Sequence, residues 1–385
     1  MRIEPFALER FQSIWENRVA WNVSESGVQP LRAADLLDSA AVHDRVLQIE
    51  LGYPQTNGSV ELREAIAALY PGAGAAHVQV TNGGSEANFV LLMRLVEPGD
   101  EIVLMVPNYM QVPGLARALG ATVRPWPLRQ TGSGDAARWT ADLAELDEIV
   151  TTRTRAIFIC NPNNPTGACF DAATLDGVCG IAARVGAWVV GDEIYCGAER
   201  EGSDTPTVWG RYERAVVTSG LSKAYGLPGL RIGWAAGPAD LIDDLWGVHD
   251  YTTIAPGALS DRLAQIALAP AKRETLISRT RMIIRSNYAL LRHWIDRHDG
   301  LSHVPPQAGA IAMVRYGHRI GSSELARRLR EERSVLVVPG DFFDMDGWLR
   351  IGFGSHPQHL TTALSHIGEL LDSVGLGEPQ EIRSC

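Results

Sequence analysis

The sequence predicts an α/β fold, with a mostly parallel central sheet flanked by helices and a smaller α+β unit at the C-terminal end. Three observations carry this expectation. From His77 onward, short apolar runs alternate with helical stretches, the pattern of a parallel sheet covered by helices. After a long helical stretch over 259–297, strands and helices follow in a different, mixed order. The 385 residues suffice for two domains, and 45% hydrophobic residues suit a chain with a sizeable core.

In chain order, residues 1–45 read as an N-terminal arm with a short helix and part of the small domain. Residues 46–280 form the expected large domain and 281–385 the small one. In the large domain, strands are predicted at Val78–Thr81, Glu101–Val106, Thr154–Cys160, 187–191, 215–218 and Gly233–Ala236, with an extended stretch at 121–125. Helices are predicted at 86–96, 114–119 and Ala172–Val185. In the small domain, strands are expected at 310–315, 335–338 and 349–352, with helices at 323–331 and 360–373. Gly132 to Asp135 reads as a surface loop.

Composition excludes several classes. A net charge of -10 gives no basic surface for nucleic acid and no reason to attach to an anionic membrane. No apolar run is long enough to span a bilayer, and the N-terminus has no secretory h-region. Five cysteines (Cys160, Cys169, Cys179, Cys196 and Cys385) form no CxxC pair, which suits a reducing cytoplasm. No metal-ligand spacing is visible. Only two lysines are present, Lys223 and Lys272, so chemistry that needs a primary amine has two candidates.

Four segments carry candidate chemistry. Ser219-Gly220-Leu221-Ser222-Lys223 places a lysine just after an apolar strand in a Gly- and Ser-rich loop, and Arg231 follows. A Schiff-base lysine needs surroundings that disfavour its ammonium, and a phosphate needs a cation and loop donors. Asn161-Pro162-Asn163-Asn164-Pro165-Thr166-Gly167 follows another strand; taken alone, it reads as a preshaped turn that aims Asn164 at a ligand oxygen. In Gly191-Asp192-Glu193-Ile194-Tyr195, a strand-end carboxylate can pair with a buried cation and the phenol can donate to an oxygen; two solvated acids are the competing account. Thr81-Asn82-Gly83-Gly84-Ser85 is a strand–helix junction whose free N–H groups suit an anion, or serve as a plain cap.

Together these segments resemble the fold-type I enzymes dependent on pyridoxal 5′-phosphate (PLP), specifically the class I/II aminotransferase family, from about residue 20 to 375. The resemblance implies the following. Lys223 carries the cofactor as a Schiff base and moves the α-proton. Asp192 keeps the pyridine nitrogen protonated, and Asn164 and Tyr195 hydrogen-bond the phenolate oxygen. Gly84, Ser85 and Arg231 hold the phosphate, and Tyr109 stacks on the ring. Arg350 in Trp348-Leu349-Arg350-Ile351-Gly352 forks onto the substrate carboxylate, beside Asn164. Tyr53 in Gly52-Tyr53-Pro54 reaches the phosphate of a neighbouring subunit, which implies a homodimer with shared active sites. The family usually has Ser or Thr where Gly220 stands, so Ser219 or Ser222 is expected to substitute.

The implied reaction moves the α-amino group of an amino acid to a keto acid. The segment His249-Asp250-Tyr251-Thr252-Thr253 lacks the second arginine of dicarboxylate-specific members, which argues against aspartate and glutamate as principal substrates. Asp250 suits either a cationic substrate side chain or an ordinary surface. The run Ser24-Glu25-Ser26-Gly27 sits where the family's arm passes the substrate, so Ser26 is a candidate pocket residue; an N-terminal loop is the alternative. Leu227-Pro228-Gly229 also resembles aminocyclopropane-carboxylate synthases, which leaves open γ-elimination, γ-replacement or carbon–carbon bond formation on S-adenosylmethionine. A non-catalytic sensor is the remaining rival, and the chain has no room for the DNA-binding domain that such proteins carry.

Overall fold

The computed structural model describes residues 2–376. The N-terminal stretch holds α1 (Ala7–Trp15), β1 (Trp21–Asn22), α2 (Ala33–Leu36), α3 (Ala40–Leu47) and α4 (Val60–Ala67). Then follow β2 (Val78–Thr81), α5 (Gly84–Leu95), β3 (Glu101–Val106), α6 (Gln111–Ala118), β4 (Thr122–Thr131), β5 (Arg138–Ala141), α7 (Leu143–Ile149), β6 (Thr154–Cys160), α8 (Ala172–Val185), β7 (Trp188–Asp192), β8 (Ala215–Gly220) and β9 (Gly233–Ala236). Helices α9 (Ala239–His249), α10 (Ala258–Leu268) and α11 (Pro270–Asp296) lead to β10 (Leu301–His303), β11 (Ile311–Tyr316), α12 (Ser322–Arg333), β12 (Val335–Leu336), β13 (Val338–Pro339), β14 (Trp348–Gly352) and α13 (Pro357–Val374).

The large sheet has the order β2-β9-β8-β7-β6-β3-β4-β5. Strands β8, β7, β6, β3 and β4 pair in parallel. Strand β9 runs antiparallel to both β2 and β8, and β5 antiparallel to β4. Both faces are covered, so successive side chains of one strand enter different cores. Ile102 and Leu104 of β3 pack with Leu91, Leu95, Phe158 and Leu245, while Val103 and Met105 join Ile157, Val189 and Val217 on the other face.

A second sheet, β10-β11-β14-β13, is antiparallel throughout. Strand β1 pairs with β12, which stitches the arm to the C-terminal part. The expected single helix over 259–297 is two, because Pro270 starts α11 at its first position, where its missing N–H costs nothing. The boundary expected at residue 280 falls inside α11. Helix α8 shows how local sequence sets an element. Asp171 accepts from Thr174 N at its start, and Gly186 takes φ +70° at its end. Helices α4, α7 and α9 were not expected. The 121–125 strand extends to Thr131 and returns through β5, so Gly132 to Asp135 becomes the turn of a hairpin.

Candidate active site

The C-terminal ends of β2, β3, β6, β7 and β8 converge on one cavity of about 300 Å³. In such a sheet this is where ligands bind, because the loops there leave N–H groups and side chains free. Lys223, Asp192, Tyr195, Asn164, Tyr109, Gly84, Ser85, Ser222, Arg231, Arg350 and Ser26 all line it. Tyr53 does not; it is 88% exposed on the surface.

Asp192 ends β7. Its Oδ2 accepts from Asn88 Nδ2 at 3.0 Å and its Oδ1 from Ile194 N at 3.2 Å. Burial pushes its pKa up, and these two donors hold it down only in part. A carboxylate so placed gains from a cation. Tyr195 is buried, and its hydroxyl has no hydrogen-bond partner. Burial also raises its pKa, against the opposing charges of Lys223 and Arg350.

At the start of α5, Gly83 has φ +95° and no side-chain cap, so the helix N-terminus opens onto the cavity. Arg231 Nη2 donates to Asn82 O at 3.2 Å, closing against this turn. A Cβ on Gly83 would lie 2.1 Å from that nitrogen, so only glycine admits the guanidinium. The pair makes an anion cradle. Of the two serines flanking Gly220, Ser222 lines the cavity, whereas Ser219 Oγ donates to Glu193 O at 3.2 Å. A side chain at Gly220 would meet Ile232 O at 2.8 Å, which explains the missing hydroxyl there.

Arg350 on β14 is 1% exposed. Its Nη1 donates to Asn164 Oδ1 at 3.0 Å and its Nη2 to Ser24 O at 2.7 Å, while its Nε is unpartnered. Lys223 Nζ donates to Glu25 Oε1 at 2.8 Å. That ion pair holds Glu25 at about 2. Burial pulls the Lys223 pKa down, but Glu25 and Tyr195 outweigh it and leave it above the ordinary lysine value.

Sequence reasoning missed part of the lining. Glu25 stood in a run suspected of entering the pocket, with no role attached. Leu8 and Gln12 lie four residues apart on α1 and Glu16 caps its C-terminal end four residues on, so one helical face covers the cavity; that spacing was the available signal. Asn88 lies one turn beyond Gly84 on α5, which is why it reaches Asp192. Glu193, beside Asp192, is not solvated: it is buried, pushed up to about 8 by burial, and accepts from Val208 N at 2.8 Å. Among the described residues, no group of His, Cys, Asp or Glu could hold a metal, and no helix is long and apolar enough to cross a membrane.

The family model "aminotransferase class I and II" matches residues 41–367. Capreomycidine synthase of Streptomyces vinaceus is 33% identical over 361 residues, covering 92% of this chain and 91% of that protein. The aspartate/prephenate aminotransferase of Thermus thermophilus is 29% identical, covering 83% of each. Among solved structures, a PLP-dependent aminotransferase from Streptococcus suis superposes with a TM-score of 0.90 at 29% identity, over 98% of this chain and 100% of that one. The PLP-dependent cyclase OrfR gives 0.86 at 28%, over 97% and 98%. The chain therefore belongs to the class I and II aminotransferase family and is a PLP-dependent enzyme.

Proposed function

We propose that the protein transfers the α-amino group of an amino acid other than aspartate or glutamate to a keto acid, with Lys223 as the proton carrier at the α-carbon. The observation that carries the reading is the convergence of Lys223, Asp192, Tyr195 and Arg350 on one cavity.

Each group of PLP has a suitable partner here. Arg231, the α5 N-terminus at Gly84 and Ser85, and Ser222 suit its phosphate. The under-compensated Asp192 suits its ring nitrogen as a proton partner, and the unpartnered Tyr195 hydroxyl with the Asn164 amide suits its phenolic oxygen. Tyr109 offers a ring face; its hydroxyl donates to Glu9 Oε1 at 2.7 Å and so fixes the ring. Lys223 supplies the amine. When bound, PLP provides an electron sink that stabilises negative charge at the substrate α-carbon.

The protein's own residues then do the following. Arg350, already fixed by Asn164 and Ser24 O, orients the substrate by its carboxylate. With the cofactor held there, the Lys223 amine would be the group placed to take and hold the proton of the substrate α-carbon. Asn88, held by Thr218 Oγ1 at 2.7 Å, keeps Asp192 aimed. Helix α1 covers the opening and limits water.

A homodimer completes this reading. Tyr53 at 88%, Leu51 at 80% and Leu47 at 79% exposure make a segment with three bare large apolar side chains next to the arm. Covering it with a second subunit would bring Tyr53 towards that subunit's phosphate site.

A second reading is favoured by the likeness to two proteins named as a synthase and a cyclase. There the same held amino acid closes a ring or exchanges a substituent instead of losing its amino group. Incubating the PLP-loaded enzyme with single amino acids, with no keto acid supplied, separates the two. Stoichiometric release of the matching keto acid supports transamination. Turnover to a ring-closed or eliminated product without keto acid overturns it in favour of the second reading.

A further inference from the structure

The anion cradle turns on one residue, Asn82, and every polar group of that residue's far side is gripped. Arg231 Nη2 donates to Asn82 O, while Asn82 N donates to Glu86 Oε2 at 2.5 Å. The Asn82 side chain is taken as well: its Nδ2 donates to Thr253 Oγ1 at 2.5 Å and to Ala255 O at 3.3 Å. Thr253 Oγ1 in turn donates to Glu86 Oε1 at 2.8 Å, and the buried His249 places Nε2 3.4 Å from Glu86 Oε2. Glu86, His249 and Thr253 all lie outside the cavity lining.

We propose that Glu86 is a positioning residue for the cofactor's phosphate: it fixes Asn82 and, through Asn82, the direction of the Gly84 and Ser85 N–H groups and of Arg231. Thr253 and His249 hold the carboxylate in that role. This rests on the reading of Gly84, Ser85 and Arg231 as the phosphate cradle.

An acid in the first turn of a helix ordinarily reaches back to the N–H of the cap residue, as in a capping box. Here the cap is Gly83, which has no side chain to return the bond, and Glu86 reaches one residue further, to Asn82. Gly83 O accepts from Glu86 N at 3.2 Å and from Ala87 N at 3.3 Å. The N–H groups of Gly84 and Ser85 are thereby left for an anion. A carboxylate this near would repel an anion if it faced one. Glu86 is turned instead towards α9. Burial there would raise its pKa, but hydrogen bonds from His249, Thr252, Asn82 and Thr253 outweigh it and hold Glu86 at about 2. The turn that supplies Thr253 is itself strained, because Ile254 takes φ +67°, which a β-branched residue rarely adopts. Such a conformation persists only where its surroundings over-determine it, and here Asn82 and Glu86 hold its flanks. A plain cap would need one backbone N–H; this carboxylate also grips the turn that grips Asn82.

The test strips the full-length protein of cofactor and titrates it with PLP and with pyridoxal, which lacks the phosphate. Absorption gives both affinities, and the phosphorus NMR resonance of bound PLP reports the surroundings of the phosphate. Glu86→Gln keeps the shape but loses the charge and one acceptor. PLP should bind it about tenfold more weakly, with pyridoxal affinity unchanged and the phosphorus resonance displaced. Thr253→Val, which lies outside α5, should weaken PLP selectively in the same direction, and Thr253→Ser, which keeps the hydroxyl, should restore it. If Glu86→Gln lowers PLP and pyridoxal affinity in the same proportion, or lowers neither, Glu86 is an ordinary cap and the proposal falls. Should that variant not fold, Thr253→Val decides in the same way. Arg231→Ala tests the premise: if it leaves the preference for PLP over pyridoxal intact, the reading of the cradle fails and the role of Glu86 with it.

Discussion

Glu25 of the N-terminal arm accepts from Lys223, 198 residues away, at 2.8 Å, so the lysine amine just after β8 is gripped by the first stretch of the chain. Glu25 is held at about 2, below its ordinary 4.5, so its stabilising contribution is full above pH 4.5 and lost as the pH falls to about 2. Lys223 is raised above 10.5; its share is present below that pH and lost as the pH rises beyond it. Glu25 is half exposed, so Glu25→Gln should cost the cofactor-free protein only about 1 kcal/mol at pH 7. Urea unfolding of both proteins from pH 7 to 2 should show the gap closing in acid.

The same substitution should speed the joining of PLP to Lys223 near neutral pH, because more of the amine is then uncharged. Stopped-flow absorption checks this, and the two proteins should converge at high pH.

Borohydride reduction of the PLP-loaded enzyme, followed by peptide mass analysis, should place the cofactor on Lys223. Lys272, paired with Asp38 at 3.0 Å, should remain unlabelled. Lys223→Ala should lower turnover by roughly 10²- to 10⁴-fold, the usual contribution of a positioned proton carrier.

Arg350→Lys keeps the charge and loses the fork. KM for the amino acid should rise about 10- to 100-fold with a smaller change in kcat. Steady-state kinetics read the split.

Gly83→Ala should weaken PLP affinity and cost about 1–3 kcal/mol, because φ +95° is strained for alanine and its methyl group displaces Arg231. Cofactor titration and thermal melts test the two effects separately.

The fold was legible where one signal dominated. Strands Val78–Thr81, Glu101–Val106, Thr154–Cys160 and Gly233–Ala236 keep their predicted bounds because they are short, mostly apolar segments in which nearly every residue on both faces is buried. Helix α7, with Leu146 as its one buried residue, offers little periodicity to read. Helices α4 and α9 do carry such a signal, in Leu62 and Ile66 and in Leu241, Ile242 and Leu245, all buried and at helical spacing. In the cavity, residues on loops after strands were legible because the motifs hold several of them at close spacing. Glu9 and Glu16 were not, since a helix reaches the cavity only through tertiary packing that no local pattern encodes. Ser219 and Ser222 were indistinguishable in sequence; a hydrogen bond to Glu193 O turns one of them away.

The arm hangs on late-coming structure. Val23 N donates to Leu336 O at 3.0 Å, Gly352 N to Val23 O at 2.7 Å, and Gln29 N to Gly354 O at 2.8 Å. A Cβ on Gly352 would strike Glu25 O at 1.9 Å, so this seam closes only over a glycine. During synthesis the first 30 residues therefore wait for the last 50. At roughly 5–20 residues per second, the ribosome keeps them apart for tens of seconds. In the later part of that interval Lys223 and the strand ends around it are already made, while Glu25 is still undocked and Arg350 is still to come. On the proposed reading, the nascent chain thus carries the amine that would hold PLP before it has the arginine that would hold an amino acid.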